Sequence, residues 1–528
     1  MSRYSRRRLL HSSAGLVVLP TLMRSFPAAA QASLTLGPAQ PFTFESLIDR
    51  ARAMSKQDYV PPPRPDASIV QQIDYDAYGK IKYKPEYALF ATEGAYPITF
   101  MHVGNFFPKT VRMHELRDGM AQEVVYSPDY FDMPADHVAK GLGPEPSAFA
   151  GFWVRETNRK GDWTKVEPFA TFLGASYYRA LGPGGQIGMS ARGVALSPAG
   201  AEAEEFPDFT EYWFERAAEE GDPTTVYALL DGPSITGAFK FQIRRTEGTV
   251  MDIENHLFLR KEVARLGIAP LTSMFWYGEA NRPREVDWRP EVHDSDGLSL
   301  WNGAGERIWR PANNPARVNI SSFYDDNPRG YGLMQRDRNP DHYLDGVRYE
   351  DRPSVWVQPL DPWGKGIVQL VEIPTDDEIY DNVIAYWMSS EPAVAGAERS
   401  YRYRQFWMNE EPDFPPSLAR AVAVRVGRGG QPGKDRPWGL RKFVVEFEGP
   451  VLEELWGWKV KAEPDISASR GTISRVQLEP VPGTRRWRAM FDLEFHGSDP
   501  VDLRIWLKGD NVALSETLLY QYLPNRGY

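Results

Sequence analysis

Two acidic clusters are the parts of this chain best suited to chemistry. The first is His293-Asp294-Ser295-Asp296, followed by Gly297 and leading to Trp301. The second is Asp376-Asp377-Glu378-Ile379-Tyr380-Asp381-Asn382, directly before the apolar run Val383 to Trp387. Both fall where strand-like segments meet loops. Two carboxyl groups facing each other across a cleft are the minimum for cleaving an acetal: one protonates the departing oxygen, the other activates water. Tyr380 and Trp387, sequence neighbours of Asp381, offer the apolar surroundings that suit an acid catalyst. The plainer alternative is solvated turn acids, the common fate of Asp at strand ends.

Other chemistries have less support. The chain has no cysteine, which excludes disulfides, thiolate metal sites and a cysteine nucleophile. Its eight histidines are scattered, with no pair at ligand spacing, so neither metal nor cofactor is expected. No G-x-S-x-G is present to mark a serine elbow. The glycine-rich piece Gly427 to Gly433 lacks G-K-[ST] and reads as a mobile surface loop, not a phosphate cradle.

The elements that must carry these acids are mostly strands. Thr224 to Leu230, a turn at Asp231 to Ser234, and Ala238 to Arg244 describe a hairpin. Phe443, Val445 and Phe447 alternate with polar neighbours, as do Trp487 to Phe495 and Val501 to Leu507. Helices are few and short, at about 44–55 and 134–140. The pattern predicts an all-β protein of two domains. A large sandwich spans 33–395 and a small immunoglobulin-like sandwich spans 396–528, divided at Pro392 to Gly396. The core of the smaller unit must hold by packing alone.

Residues 1–32 read as a secretory signal. Ser5-Arg6-Arg7-Arg8-Leu9-Leu10 precedes a short apolar run, and Ala28-Ala29-Ala30 and Ala30-Gln31-Ala32 suit cleavage. The arginine pair favours twin-arginine export to the periplasm. The apolar run is too short to span a bilayer, and no 18-residue apolar stretch follows it. Loss of the leader takes the net charge from −10 to −15. So acidic a chain has no general attraction for nucleic acid or anionic lipid. Sixteen tryptophans include some in polar company, as in Asp287-Trp288-Arg289 and Pro362-Trp363-Gly364-Lys365. Such flat apolar faces with polar edges suit sugar rings.

Longer segments carry a resemblance. Phe172-Leu173-Gly174-Ala175-Ser176-Tyr177-Tyr178-Arg179, Ser190-Ala191-Arg192-Gly193 and Glu205-Phe206-Pro207-Asp208-Phe209 are among them. So are Val226 to Asp231, Leu266 to Phe275, Ser515-Glu516-Thr517 and Leu519 to Tyr522. In this order they resemble the periplasmic glucan biosynthesis family OpgG/OpgD (MdoG/MdoD) end to end, the twin-arginine leader pointing to the OpgD branch. The resemblance implies a galactose-mutarotase-like β-sandwich followed by an immunoglobulin-like domain. It also implies a homodimer, with β-1,2-glucan chains and the membrane glucan synthase machinery as partners. Anomer-inverting endo-β-1,2-glucanases and glucan transglycosylases both belong to such a family. By motif, the general acid falls on Asp381 and the general base on Asp294, with Asp296 the nearest competitor. Glu378 and Tyr349 match supporting positions. Trp363 and Trp301 are candidates for sugar stacking, each equally suited to a place in the core. The Gly427–Gly433 loop is shorter than in the enterobacterial hydrolases, so hydrolysis and transfer stay open. A non-catalytic glucan scaffold is the alternative from a different class.

Overall fold

The computed structural model describes residues 33–524 apart from 93, 158–161, 201–202, 218–220, 283–286, 454, 456–461 and 511. The expected signal, 1–32, lies outside the described residues. Strands dominate, as the alternation predicts. A 16-stranded sheet and a 10-stranded sheet face each other, and a four-stranded sheet covers the far end of the larger one. This is a tandem β-sandwich arrangement. Among the described residues no helix is long and apolar enough to cross a membrane.

The first core lies between the two large sheets. Phe152, Phe172, Tyr178, Phe239 and Phe241 interdigitate there with Leu271, Leu333 and Trp387. The hairpin at 224–245 forms as Thr224–Asp231 and Ile235–Arg245, pairing Thr224 with Ile243 and Asp231 with Thr236. Outside the sheet, the helix Phe44–Met54 starts at Thr43, whose side chain and that of Ser46 cap each other's backbone amides.

The second core belongs to the C-terminal sandwich. Phe443, Val445 and Phe447, Ala489, Phe491 and Leu493, and Val501, Ile505 and Leu507 are all fully buried. The alternation seen in the sequence is therefore the inward face of real strands. One sheet of this sandwich is Thr472–Pro480, Arg486–Glu494, Leu440–Glu448 and Arg420–Arg428. The other is the end of the 16-stranded sheet. Thr517–Tyr522 pairs in parallel with Arg307–Pro311, aligning Leu518 with Trp309. One continuous hydrogen-bonded ladder thus runs through both sandwiches, and Trp309, Met334 and Trp356 of the large unit pack into the C-terminal core.

The chain changes sandwich later than the Pro392–Gly396 interruption. Glu398–Met408 lies between Thr249–Leu259 and Ser354–Pro359 in the large sheet, pairing with both over most of its length. The first strand of the four-stranded sheet begins only at Arg420.

A buried ion network fastens the junction. Arg336 donates to Glu516 at 2.6 and 3.1 Å and to Glu411 at 3.2 Å, and its guanidinium lies 3.8 Å from the Trp309 ring. Glu516 also accepts the Ala421 amide at 2.8 Å. Glu516→Ala leaves the Arg336 charge underpaired in a dry site. That variant should lose about 3–5 kcal/mol of stability, read by urea denaturation.

Candidate active site

Asp294 and Asp381 are anchored to opposite edges of one three-residue stretch, Ser273 to Phe275. On one edge the Asn382 amide donates to the Ser273 carbonyl at 3.0 Å, and the Asn382 side chain brackets Phe275 by accepting from its N–H and donating to its C=O. On the other edge Phe275 pairs with His293, and the Asp294 amide donates to the Met274 carbonyl at 2.8 Å. Ser295 Oγ donates to Ser273 Oγ at 2.7 Å. Two interstrand spacings put the backbones carrying the two acids ~10 Å apart. Asp294 is buried, whereas Asp381 stands exposed at the end of its turn.

Glu378 and Tyr349 meet at the same place. The Tyr349 hydroxyl donates to Glu378 Oε2 at 2.7 Å, and Arg289 grips both Glu378 oxygens at 2.8 and 3.2 Å. Arg289 also binds Asp287 and Asp345, so one guanidinium gathers three carboxylates. Its hydrogen bonds hold the Glu378 carboxyl below the ordinary range, with help from Tyr349 and against partial burial. Burial, then the bond to Glu378, pushes the Tyr349 phenol up. Tyr349 opens a single 3₁₀ turn, Tyr349–Asp351, entered through left-handed Arg348 at φ +62°. Gln335 ties that turn to the Asp294 strand, donating to the carbonyls of Tyr349 and His293 and accepting from His293 Nδ1.

Asp294 ion-pairs with Arg352, whose guanidinium lies 4.3 Å from the Tyr349 ring centre. Asp296, its competitor, is committed elsewhere: both of its oxygens accept main-chain N–H groups, from Arg336 at 3.0 and 3.1 Å and from Asp337 at 2.8 Å. Burial pushes the Asp296 carboxyl up in spite of those bonds and His293.

The two expected stacking tryptophans are not placed to serve. Trp363 is 7% exposed and packed against Trp387, Tyr401 and Tyr403, so its faces belong to the core despite its polar sequence neighbours. The Trp301 ring is occupied by the guanidiniums of Arg307 at 3.8 Å and Arg329 at 5.3 Å. Trp387 is fully buried and gives Asp381 no cover. The aromatic surface beside the acids is Trp288, 65% exposed next to Arg289, and Tyr380, 60% exposed next to Asp381. Arg289, Arg352, Asn382 and Gln335 were not foreseen. Asn382 alone had a local signal, its place directly after Asp381.

The family profile described as "Periplasmic glucan biosynthesis protein, MdoG" matches residues 42–522. The chain belongs to the MdoG family. It is 52% identical to "Glucans biosynthesis protein D 2" of Ralstonia nicotianae over 98% of both chains. It is 44% identical to "Glucans biosynthesis protein D" of Stenotrophomonas maltophilia over 93% of this chain and 91% of that one. The protein of that description from Xanthomonas campestris pv. campestris is 42% identical over 98% of each. Family membership places the chain in periplasmic glucan biosynthesis.

This MdoG-family chain has a second polar centre in an open pocket at the sandwich junction. Glu279, Glu291, Asp296 and Asp337 line it, with Val424 and Tyr520 contributed by the C-terminal sandwich. Ligand atoms of Glu291, Asp337 and His342 lie within 4.8 Å of one another, the one group among the described residues that could hold a metal ion. They already satisfy each other in part, since His342 pairs with Asp337. Buried His293 reaches Glu291 at 3.0 Å, and with acceptors on both ring nitrogens it carries a raised pKa against the cost of burial.

Glu279 accepts the Val424 amide at 2.7 Å and pairs with Arg425 at 3.2 Å, yet burial brings its carboxyl up from 4.5 to about 7. Between those values the folded chain keeps a proton that the unfolded chain has released. Stability should therefore fall as pH rises through that window, and only modestly, because the Glu279 residue is largely open to screening water. Glu279→Gln keeps the acceptor without the charge. Melting curves across this range should flatten in that variant.

The hairpin loop at Gly427 to Gly433 is tied down more than its composition suggests. The Gly430 amide donates to the buried Asp492 carboxylate at 3.1 Å, and Arg436 Nε donates to the Gly429 carbonyl at 2.6 Å.

Proposed function

We propose that this protein cleaves or transfers β-1,2-glucan with inversion at the anomeric carbon. Asp381 is the general acid and Asp294 the general base. Asp381 gives its proton to the glycosidic oxygen as the bond to the anomeric carbon breaks. A water, or a hydroxyl of a second glucan, attacks that carbon from the opposite face and passes its proton to Asp294, directly or through ordered waters. Inverting pairs stand ~6.5–9.5 Å apart to admit the nucleophile. What supports the reading is the Ser273–Phe275 stretch, which fastens the two acid-bearing segments on its opposite edges at a spacing of that order. The Arg352 contact with buried Asp294 also suits that carboxylate to accept a proton.

Glu378 and Tyr349 order the hydroxyls of the reacting sugars, and Trp288 and Tyr380 replace Trp363 and Trp301 as the faces for stacking. The proposal extends to a galactose-mutarotase-like large sandwich, an immunoglobulin-like small one, twin-arginine export and a homodimer. It also includes work beside the membrane synthase machinery.

Linear β-1,2-glucan incubated with the purified protein should yield shorter or re-linked chains, and NMR should show the inverted anomer first. Asp381→Asn should lower turnover roughly 10²–10⁴-fold while glucan binding persists. Asp294→Asn should do the same, and Asp296→Asn should act chiefly on stability. Wild-type protein that binds the glucan and never alters it would instead be a scaffold.

A further inference from the structure

Arg352 is built into the site from every side. It closes the 3₁₀ turn after Tyr349, its amide donating to the Tyr349 carbonyl at 3.1 Å, and its own carbonyl accepts from Arg338 at 3.1 Å. Its Cβ lies against Gly188, where an added methyl would sit only 3.1 Å away. Its guanidinium stacks on the Tyr349 ring and ends on Asp294. Besides Asp294, the charged groups acting on it are Arg179, Glu378 and Asp381, while Asp351 on the same turn is occupied by Arg348. Beside Asp294, His293 is turned to Glu291 and Asp296 to main-chain amides. Arg352 is thus the cation in direct contact with the Asp294 carboxylate.

We infer that Arg352 is the positioning residue that keeps Asp294 ionised and aimed, and so fixes which of the two acids accepts a proton. The inference rests on the function proposed above. A buried carboxyl without a counterion takes up a proton, whereas an arginine in contact holds it charged. Burial and Arg179 lower the Arg352 pKa to about 10, which still leaves it cationic at neutral pH. Tyr349 links the two halves of the site, since its ring supports Arg352 and its hydroxyl holds Glu378.

The test is the pH profile of kcat/KM on linear β-1,2-glucan for wild type, Arg352→Gln and Arg352→Lys. The acidic limb should rise by about 1–3 pH units in Arg352→Gln, with kcat reduced and KM nearly unchanged. Arg352→Lys should return the limb most of the way, because the charge is kept. An unmoved limb in Arg352→Gln, whatever the loss in rate, would overturn the assignment. A second arm needs no turnover: melting temperatures of Asp294→Asn, Arg352→Gln and the double variant at neutral pH. Strong non-additivity is expected, and simple additivity would overturn the pairing. An inactive wild type with an intact coupling would refute the proposed function and leave the ion pair standing.

Discussion

The candidate site depends on one short piece of extended backbone using both of its edges. Ser273, Met274 and Phe275 offer alternating carbonyl and amide groups, and these are taken by 382 on one side and 293–294 on the other. A strand interior to a sheet is stiff because neither edge is free to fray. Residues almost ninety positions apart in the chain thus acquire a fixed separation without touching. Asn382 strengthens this by satisfying three main-chain groups with one side chain, donating to Ile373 as well as bracketing Phe275. Replacing backbone contacts with a side-chain amide allows the ladder to end at Asp381 and release it into solvent.

The same economy explains why the two sandwiches are continuous. A separate C-terminal domain would leave the edge strand Arg307–Pro311 with unpaired groups and an apolar face, the usual hazard of an open sheet. Thr517–Tyr522 covers that edge, and the Arg336 network locks the two units by charge where packing alone would permit sliding. Arg336 has a second duty: its amide and that of Asp337 hold Asp296, two residues from Asp294. Junction and site are therefore joined through a few bonds, with the acidic pocket lying between them.

Local pattern made a good deal of this visible. The faces of Phe443 to Phe447 and of Val501 to Leu507 were legible because burial repeats every second residue, and the sequence prints that period directly. The change of sandwich was not. Proline and glycine at 392–396 interrupt alternation, but an interruption says nothing about which sheet the next strand joins. Glu398–Met408 returns to the large sheet through partners more than a hundred residues upstream. Asp294, Asp381, Glu378 and Tyr349 were reached by motif resemblance; of these, Tyr349 and Glu378 are joined by a direct hydrogen bond. Arg289 and Arg352 were silent, because an ion pair across long sequence separation leaves no period. Trp363 misled for a related reason: its neighbours in sequence are polar, while its neighbours in space are Trp387, Tyr401 and Tyr403.

The charge distribution carries one more consequence. A glucan is uncharged, so under the proposed function a chain of net charge −10 gains nothing from long-range steering of its substrate. The two guanidiniums at the site are also not presented to a ligand. Arg289 is spent on three carboxylates and Arg352 on Asp294. Their work is internal: each holds its acids in place, and under the proposed function this removes a reorganisation cost from the reaction. Under the proposed function, attraction for the sugar comes from the exposed faces of Trp288 and Tyr380 and from hydroxyl hydrogen bonds, both short-ranged. Under the proposed function, a site built this way recognises a chain by shape along its length. A long polymer held by many weak contacts fits such a site better than a small charged metabolite would.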